Sequence, residues 1–238
     1  MANTPKAFTR TKSILNMLER RGERASEGTL RLEQKLGTSG SYTFQVNQAQ
    51  NQIVSEQRLK VGDSFICTSI GFYVKKCVTN LGVPTIIAPT DAEQTIANLR
   101  TFPNPTVFVG AGEAQNLEAL WNSRIQININ SVNITEQFDT ARMRRVGVAQ
   151  QGVASAVGSN YGRDEWTDYM YGMVSFQSDI CLNGQANSQL QLILPTAVDC
   201  NVVATNTNNA VILLKGILIQ NGAKTITDKT MKTFSMNA

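Results

Sequence analysis

An acidic and aromatic segment in the second half of the chain is the best candidate for a catalytic or ligand-binding site. The stretch GRDEWTDYMYG combines three carboxylates with three aromatic rings, namely Asp164, Glu165, Asp168, Trp166, Tyr169 and Tyr171. Carboxylates three or four residues apart could act as a pair in glycoside hydrolysis or hold calcium, and rings beside acids suit a sugar. The same residues suit a contact between subunits, so the segment is a candidate interface or glycan-binding loop.

Chemistry that depends on histidine is excluded, because the sequence contains no histidine. This removes Ser–His–Asp and Cys–His nucleophiles and the histidine metal site of cupins. The four cysteines form no Cys-x-x-Cys pair. Cys67 lies inside an apolar run and is expected to be a small buried hydrophobe. We therefore expect no enzymatic activity, no cofactor and no bound transition metal.

The positive charge is concentrated at the amino terminus. The first 35 residues contain eight basic and four acidic residues, which accounts for the whole formal net charge of +4. A basic segment on a neutral body can attract nucleic acid or an anionic membrane surface. The candidate contact residues are Lys6, Arg10, Lys12, Arg20, Arg21 and Arg24.

The elements that would carry these charges are predicted to be helical. One helical stripe is formed by Phe8, Ile14, Leu15 and Leu18, and Gly22 would end this helix. Leu32 and Leu36, four residues apart, predict a second short helix. We therefore predict a basic helical arm over residues 1–40, which would stabilise assembly rather than the fold.

Alternation of apolar and polar side chains begins at Ser41 and predicts β structure from there on. The nearly apolar last strand should be central, Pro195 should end its strand, and a slip in phase at Ser131 predicts a bulge or tight turn. The predicted strands are SYTFQVN (41–47), DSFICTSIGFYVKK (63–76), RIQININ (124–130) with its continuation, MVSFQSDI (173–180), QLQLILP (189–195) and AVILLKGILIQ (210–220).

About eight strands with helix-bearing loops predict a mainly β fold, a two-sheet antiparallel jelly-roll-like sandwich with an N-terminal helical arm. The predicted organisation is the arm, a single β domain over residues 41–224 and a polar tail over residues 225–238. The core is expected to include Phe65, Ile70, Ile125, Ile127, Ile129, Leu192, Leu194, Leu213 and Ile217.

The stretch RIQININ sets three uncharged amides on one face of a strand, where lysines and glutamates are more usual. The whole chain is only 17% charged, against about 25% in typical soluble domains. Amides can pair with one another and with backbone groups without a counter-charge. A neutral, amide-rich body can therefore pack against copies of itself without like-charge repulsion, as an assembly subunit must.

Three features together resemble a known class of proteins: the basic helical amino terminus, the opening RLKVGDSFICTSIGFYVKK, and the segment NLEALWNSRIQININSVNITEQFDTARMRRV. They are similar to bacteriophage virion structural proteins, in particular jelly-roll capsid subunits of icosahedral phages. The resemblance covers most of residues 40–222, and the chain length favours a single roll over a double one. It implies a shell subunit that assembles through trimers or pentamers, contacts other virion proteins and turns its arm toward the genome or an internal membrane.

Two other functions remain open on the sequence. One is a phage spike, fibre or receptor-binding protein, whose aromatic loop would contact glycan. The other is a carbohydrate-active enzyme that uses Asp164 with Glu165 or Asp168. In the phage interpretations the protein is made in the host bacterial cytoplasm and ends in the virion, since the start MANTPKAFTRTKS lacks the apolar core of a signal peptide.

Overall fold

The computed structural model describes residues 6–47, 56–77, 99–103, 108, 110–145, 172–202 and 207–224. Two helices lie among them, α1 (Lys6–Arg20) and α2 (Glu113–Glu118), with short 3₁₀ turns at Ala119–Asn122, Thr140–Met143 and Gly222–Lys224. The eight strands are β1 (Ala25–Lys35), β2 (Thr38–Gln45), β3 (Ser64–Cys77), β4 (Arg124–Ile129), β5 (Val132–Asp139), β6 (Met173–Asn183), β7 (Ser188–Asp199) and β8 (Thr207–Ile219).

The strands form two four-stranded sheets. Sheet A has the order β1-β8-β3-β6, and sheet B has the order β2-β7-β4-β5. All six strand pairings are antiparallel. The predicted mainly β, two-sheet antiparallel sandwich is confirmed, and β8 is central in sheet A as its apolar sequence predicted.

The first four strands pair with the last four in reverse order. Strand β1 pairs with β8, β2 with β7, β3 with β6 and β4 with β5. The chain changes sheet at each connection except the hairpin between β4 and β5. Strands distant in sequence therefore lie side by side, and each sheet contains both halves of the chain.

The predicted second helix around Leu32 and Leu36 is wrong, because Ala25–Lys35 is strand β1. The sequence RLEQKL is rich in good helix formers, but pairing along all of β1 with β8 overrides that local preference. Leu30 and Leu32, two residues apart, are both buried in the main core, as period-2 structure requires. Helix α1 therefore ends at Arg20, and strand structure begins at Ala25 rather than at Ser41.

Helix α1 lies against the outer face of sheet A. Its residues Ile14 and Leu18 are buried in a small cluster with Ile66, Ile217 and Ile219. The apolar surface that covers Ile14 and Leu18 therefore belongs to the same chain. Ile217 of the predicted core lies in this cluster, while Leu213 lies in a second outer cluster with Tyr73 and Val211.

The main core lies between the two sheets. Of the predicted core residues, Phe65, Ile70, Ile125, Ile127, Leu192 and Leu194 are buried there, and Ile129 packs against its edge. Cys67 is buried in the same core, which confirms its prediction as a small hydrophobe. The rings of Phe72 and Trp121 meet edge to face, with their centroids 5.4 Å apart.

The predicted break at Ser131 is a tight turn. Asn130 and Ser131 have φ angles of 49° and 67°, the left-handed pair that a two-residue hairpin needs to match the twist of its strands. A register shift follows between Ile127 and Asn128, so β5 also contains the irregularity that the phase slip implied. The turn sends β5 back along β4.

The predicted strand end at Pro195 is wrong, because β7 continues to Asp199. Pro195 lies beyond Ile193, the last β7 residue paired with β4, and inside a register shift against β2. At such a break the missing N–H of proline interrupts no ladder bond.

None of the helices in the described part of the chain has the length and apolar character of a membrane span.

Candidate functional site

The outer face of sheet B carries the amides that stood out in the sequence. We call this surface the amide face and define it by Gln45, Gln126, Asn128, Asn133, Gln189 and Gln191, which come from all four strands. One row runs across the sheet, with Gln45 opposite Gln189, Gln189 opposite Asn128, and Asn128 opposite Asn133. Gln126 and Gln191 are cross-strand partners in the neighbouring row.

The amide face remains open to solvent. Every one of its six amide side chains is exposed or half-buried, and so are Ser41 and Thr43 beside them on β2. Within the face, Gln45 Nε2 donates to Gln189 Oε1 at 3.3 Å. Each amide has both donors and an acceptor, so it can pair with the same group on a second molecule. The face is therefore polar, uncharged at these positions and chemically self-complementary.

Strand β5 is an edge of sheet B, and two of its apolar residues, Val132 and Ile134, are 63% and 44% exposed. Among the described residues, no strand pairs with its outer side. An edge with unpaired backbone groups and exposed β-branched residues can accept another strand, a liability that soluble monomers usually block with charge or proline. This edge adjoins the amide face, which reaches Asn133 on the same strand.

A shallow depression of about 570 Å³ lies at one end of the amide face. Arg124 and Asp139, which are cross-strand partners, line it together with Ile193 and Pro195. The Asp139 carboxylate also accepts a hydrogen bond of 2.8 Å from the Ala141 N–H. Opposite charges balance at this end of the face, and the remainder of the lining is apolar or uncharged.

The basic residues predicted to contact nucleic acid or a membrane lie on α1 and in the segment that follows it. The side chains of Lys12, Arg20, Arg21 and Arg24 are exposed. Lys6 and Arg10 belong to the same helix, whose backbone alone is described there. A contact between these exposed groups and an anionic partner stays a prediction.

The acidic and aromatic candidates lie outside the described residues, namely Asp164, Glu165, Trp166, Asp168, Tyr169 and Tyr171. A second group of arginines near the end of β5 makes contacts within the chain. Arg144 binds the Glu118 carboxylate through both Nε and Nη2, at 3.1 and 2.7 Å. This hydrogen bonding raises the pKa of Arg144. Arg142 lies over the Phe138 ring.

The described part of the chain holds no cluster of three or more metal-binding side chains. Its three described thiols, those of Cys67, Cys181 and Cys200, are not in disulfides. Burial raises the pKa of the Cys181 thiol to about 12, that of the Cys200 thiol to about 11, and that of Cys67 further. Such thiols are poor nucleophiles at neutral pH.

The raised pKa values of these thiols and of a buried tyrosine predict that the protein loses stability in alkali. Burial also raises the pKa of Tyr42, whose hydroxyl donates to Gly37 O, to about 12. The folded chain holds these protons to higher pH than the unfolded chain, so ionisation favours unfolding as the pH rises from about 9 toward 12. We expect the free energy of unfolding, measured in urea, to fall by about 1 kcal/mol per thiol between pH 7 and 10.

The variant Tyr42→Phe separates this effect from general alkaline damage. Its free energy of unfolding at pH 7 should be about 1 kcal/mol lower, because the hydrogen bond to Gly37 O is absent. Above pH 9 its stability should fall less steeply than that of the wild-type protein. A flat stability profile between pH 7 and 10 in the wild-type protein would contradict the burial of these groups.

The sequence interpretation missed four of the six residues of the amide face. It identified Gln126 and Asn128 on β4, but did not join them to Gln45, Asn133, Gln189 and Gln191. The signal was present, because SYTFQVN and QLQLILP show the same alternation of amides with apolar residues. Only the strand order shows that these segments are neighbours. The sequence matches no protein-family model, and no curated protein matches it.

Proposed function

We propose that the protein is a capsid subunit of a bacteriophage, with a jelly-roll fold, that assembles with copies of itself into an icosahedral shell around the genome. The observation that carries the proposal is the amide face with the open β5 edge beside it. A surface that is polar, uncharged and self-complementary can be buried between identical subunits without charge repulsion.

The strand pairing supports the jelly-roll part of the proposal. Pairing of first with last strand, second with seventh, third with sixth and fourth with fifth arises when one long antiparallel ribbon is wrapped into two sheets. An eight-stranded double Greek key of two sheets has this form. The same framework serves capsid proteins, lectins and cupins, so the function must be argued from surfaces and sites rather than from the fold.

The chemistry of the described residues favours the structural role among these three. The sequence has no histidine for a cupin metal site. The thiols among the described residues are buried or half-buried, and the amide face presents amides and hydroxyls, with one acid and one base, Asp139 and Arg124, at its end. The spike and the carbohydrate-active enzyme both depend on the acidic and aromatic segment, so no described residue supports either.

The exposed basic residues of α1 and of the segment that follows it support a second part of the proposal. This part is a contact with the packaged genome or an internal membrane. Four of them, Lys12, Arg20, Arg21 and Arg24, are exposed beside sheet A, on the side of the sandwich away from the amide face. A subunit that meets its neighbours through sheet B could turn this basic side inward. Binding of this kind would weaken strongly with added salt.

A charge placed in the amide face tests the proposal. Gln126 lies in its middle, and Gln126→Lys would bury an unpaired ammonium against a neighbouring subunit. We expect at least a tenfold (about 1.4 kcal/mol) loss of assembly affinity in sedimentation velocity, with an unchanged melting temperature. The matched control is Gln220→Lys, the same change at an exposed turn after β8, which should assemble like the wild-type protein. Equal assembly by both variants would contradict a role for this face.

A further inference from the structure

Two adjacent lysines near the end of β3 face opposite sides of sheet A. In the register with β8, Lys76 lies opposite Asn208, and Lys75 lies opposite Asn209. Each lysine is buried, although lysine is among the residues least often buried. Each also meets a buried glutamate, Glu113 for Lys76 and Glu33 for Lys75. The fold thus brings the same three residue types, Lys, Asn and Glu, together in two separate clusters.

In the first of these clusters, one carboxylate binds both the amine and the amide. Lys76 Nζ lies 3.0 Å from Glu113 Oε2, and Asn208 Nδ2 donates to Glu113 Oε1 at 2.8 Å. The three residues are only 3%, 0% and 0% exposed. The Phe108 ring lies beside the amine, with Lys76 Nζ 5.7 Å from its centroid.

We propose that Lys76 and Asn208 become joined by an intramolecular isopeptide bond, with Glu113 as the catalytic group that moves the protons. Glu113 takes a proton from the Lys76 ammonium, and the neutral Nζ attacks the Asn208 Cγ. A C–N bond forms between Lys76 and Asn208 as the bond from Cγ to the amide nitrogen breaks. Glu113 returns its proton to the departing nitrogen, which takes the second proton of Nζ and leaves as ammonium. No oxidant, reductant or co-reactant is needed.

The geometry supplies the proton carrier that this reaction requires, beside both nitrogens. The amine becomes nucleophilic only without its proton, and a carboxylate at 3.0 Å is in place to take it. The attacking and leaving nitrogens share that carboxylate, so the proton acceptor of the first step is already beside the leaving group of the last. Burial excludes water, which would otherwise compete for the asparagine carbonyl. Fixed neighbouring groups also react far faster than free ones.

Surrounding contacts hold the reactive groups in place. The Gly110 N–H donates to Glu113 Oε2 at 2.9 Å, and Asn208 Nδ2 also donates to Cys200 O at 2.8 Å. Asn208 Oδ1, in contrast, accepts no hydrogen bond from the described residues. The amide nitrogen is thus oriented toward the carboxylate, and the Asn208 side chain is held by two hydrogen bonds from this nitrogen.

The second cluster provides an internal comparison. Asn209 Nδ2 lies 3.4 Å from Glu33 Oε2, farther than its counterpart, while Lys75 Nζ lies 2.8 Å from the same oxygen. Arg31 binds the other oxygen, with Nη2 2.6 Å from Glu33 Oε1. The guanidinium therefore takes one carboxylate oxygen and leaves both nitrogens at the other, unlike in the first cluster. Lys75 and Asn209 should therefore remain unlinked.

The test is the intact mass of the denatured full-length protein, with fragmentation of its proteolytic peptides. The wild-type chain should be about 17 Da lighter than its sequence, the mass of one ammonia, and one branched peptide should join Lys76 to Asn208. Lys76→Arg and Glu113→Gln should each show the full sequence mass. Lys75→Arg, the matched control on the opposite face, should keep the loss.

The branched peptide distinguishes this bond from a succinimide at an asparagine, which loses the same mass without joining two peptides. A wild-type chain at full sequence mass, with Lys76 and Asn208 recovered in separate peptides, would overturn the proposal. A branch between Lys75 and Asn209, or a loss that persists in Lys76→Arg, would overturn it equally. Both wild-type readouts are independent of whether any variant folds and of whether the protein assembles.

Discussion

Replacing Ile127 with aspartate should abolish soluble folding. Ile127 lies in strand β4 and is buried between the two sheets. The change removes roughly 1.5–3 kcal/mol of apolar burial, and it places a carboxylate among the apolar side chains of the main core. Together these costs approach the whole stability of a typical domain, about 5–15 kcal/mol. The yield of soluble protein and its circular dichroism measure the result.

The neighbouring residue provides the matched control. Gln126→Asp introduces the same side chain one position earlier, on the amide face instead of the core. Because adjacent strand residues face opposite sides, this variant should fold and melt like the wild-type protein. An Ile127→Asp protein that melts at the wild-type temperature would contradict the strand register.

Deleting residues 2–36 should also abolish folding. The deletion removes β1, which pairs with β8 along its whole length, together with Leu30, Leu32 and Leu36 from the main core. Strand β8 would then present an open, almost wholly apolar edge, a template for aggregation. We expect insoluble protein, measured by its partition between soluble and pelleted fractions after expression.

A shorter deletion separates the helix from the strand. Removing residues 2–20 takes away α1 but leaves β1 in place. It exposes Ile66, Ile217 and Ile219, which Ile14 and Leu18 cover in the intact chain. This variant should remain folded, with a melting temperature several degrees lower. If the longer deletion gave a folded domain of wild-type stability, the pairing of β1 with β8 would be wrong.

The correctly predicted strands carry the signal in their own residues, as alternation in β2, β4 and β7 or as a nearly continuous apolar run in β3 and β8. In β2, β4 and β7 the apolar residues recur at every second position, so the buried face can be identified without knowing the partner strand. Strand β1 was missed because its buried residues are few and its polar residues favour helix. Its structure is decided by β8, a partner distant in sequence, which no local pattern reveals.

The candidate site shows the same division. The amides of β4 were visible as a run, but the face exists only because β2, β7 and β5 lie beside that strand. The buried lysines, Lys75 and Lys76, were visible only as the polar end of an apolar strand. Their partners Glu33 and Glu113 lie about 40 residues away in opposite directions along the chain. Long-range pairing, rather than composition, creates both features.

The size distribution of the purified wild-type chain decides whether the protein is a capsid subunit, and sedimentation velocity with electron microscopy of the peak fractions measures it. We expect trimers, pentamers or closed shells in equilibrium with the subunit, shifted toward larger species at higher protein concentration. A single monomeric species at every concentration and salt tested would contradict a capsid subunit, since nothing would then cover the amide face.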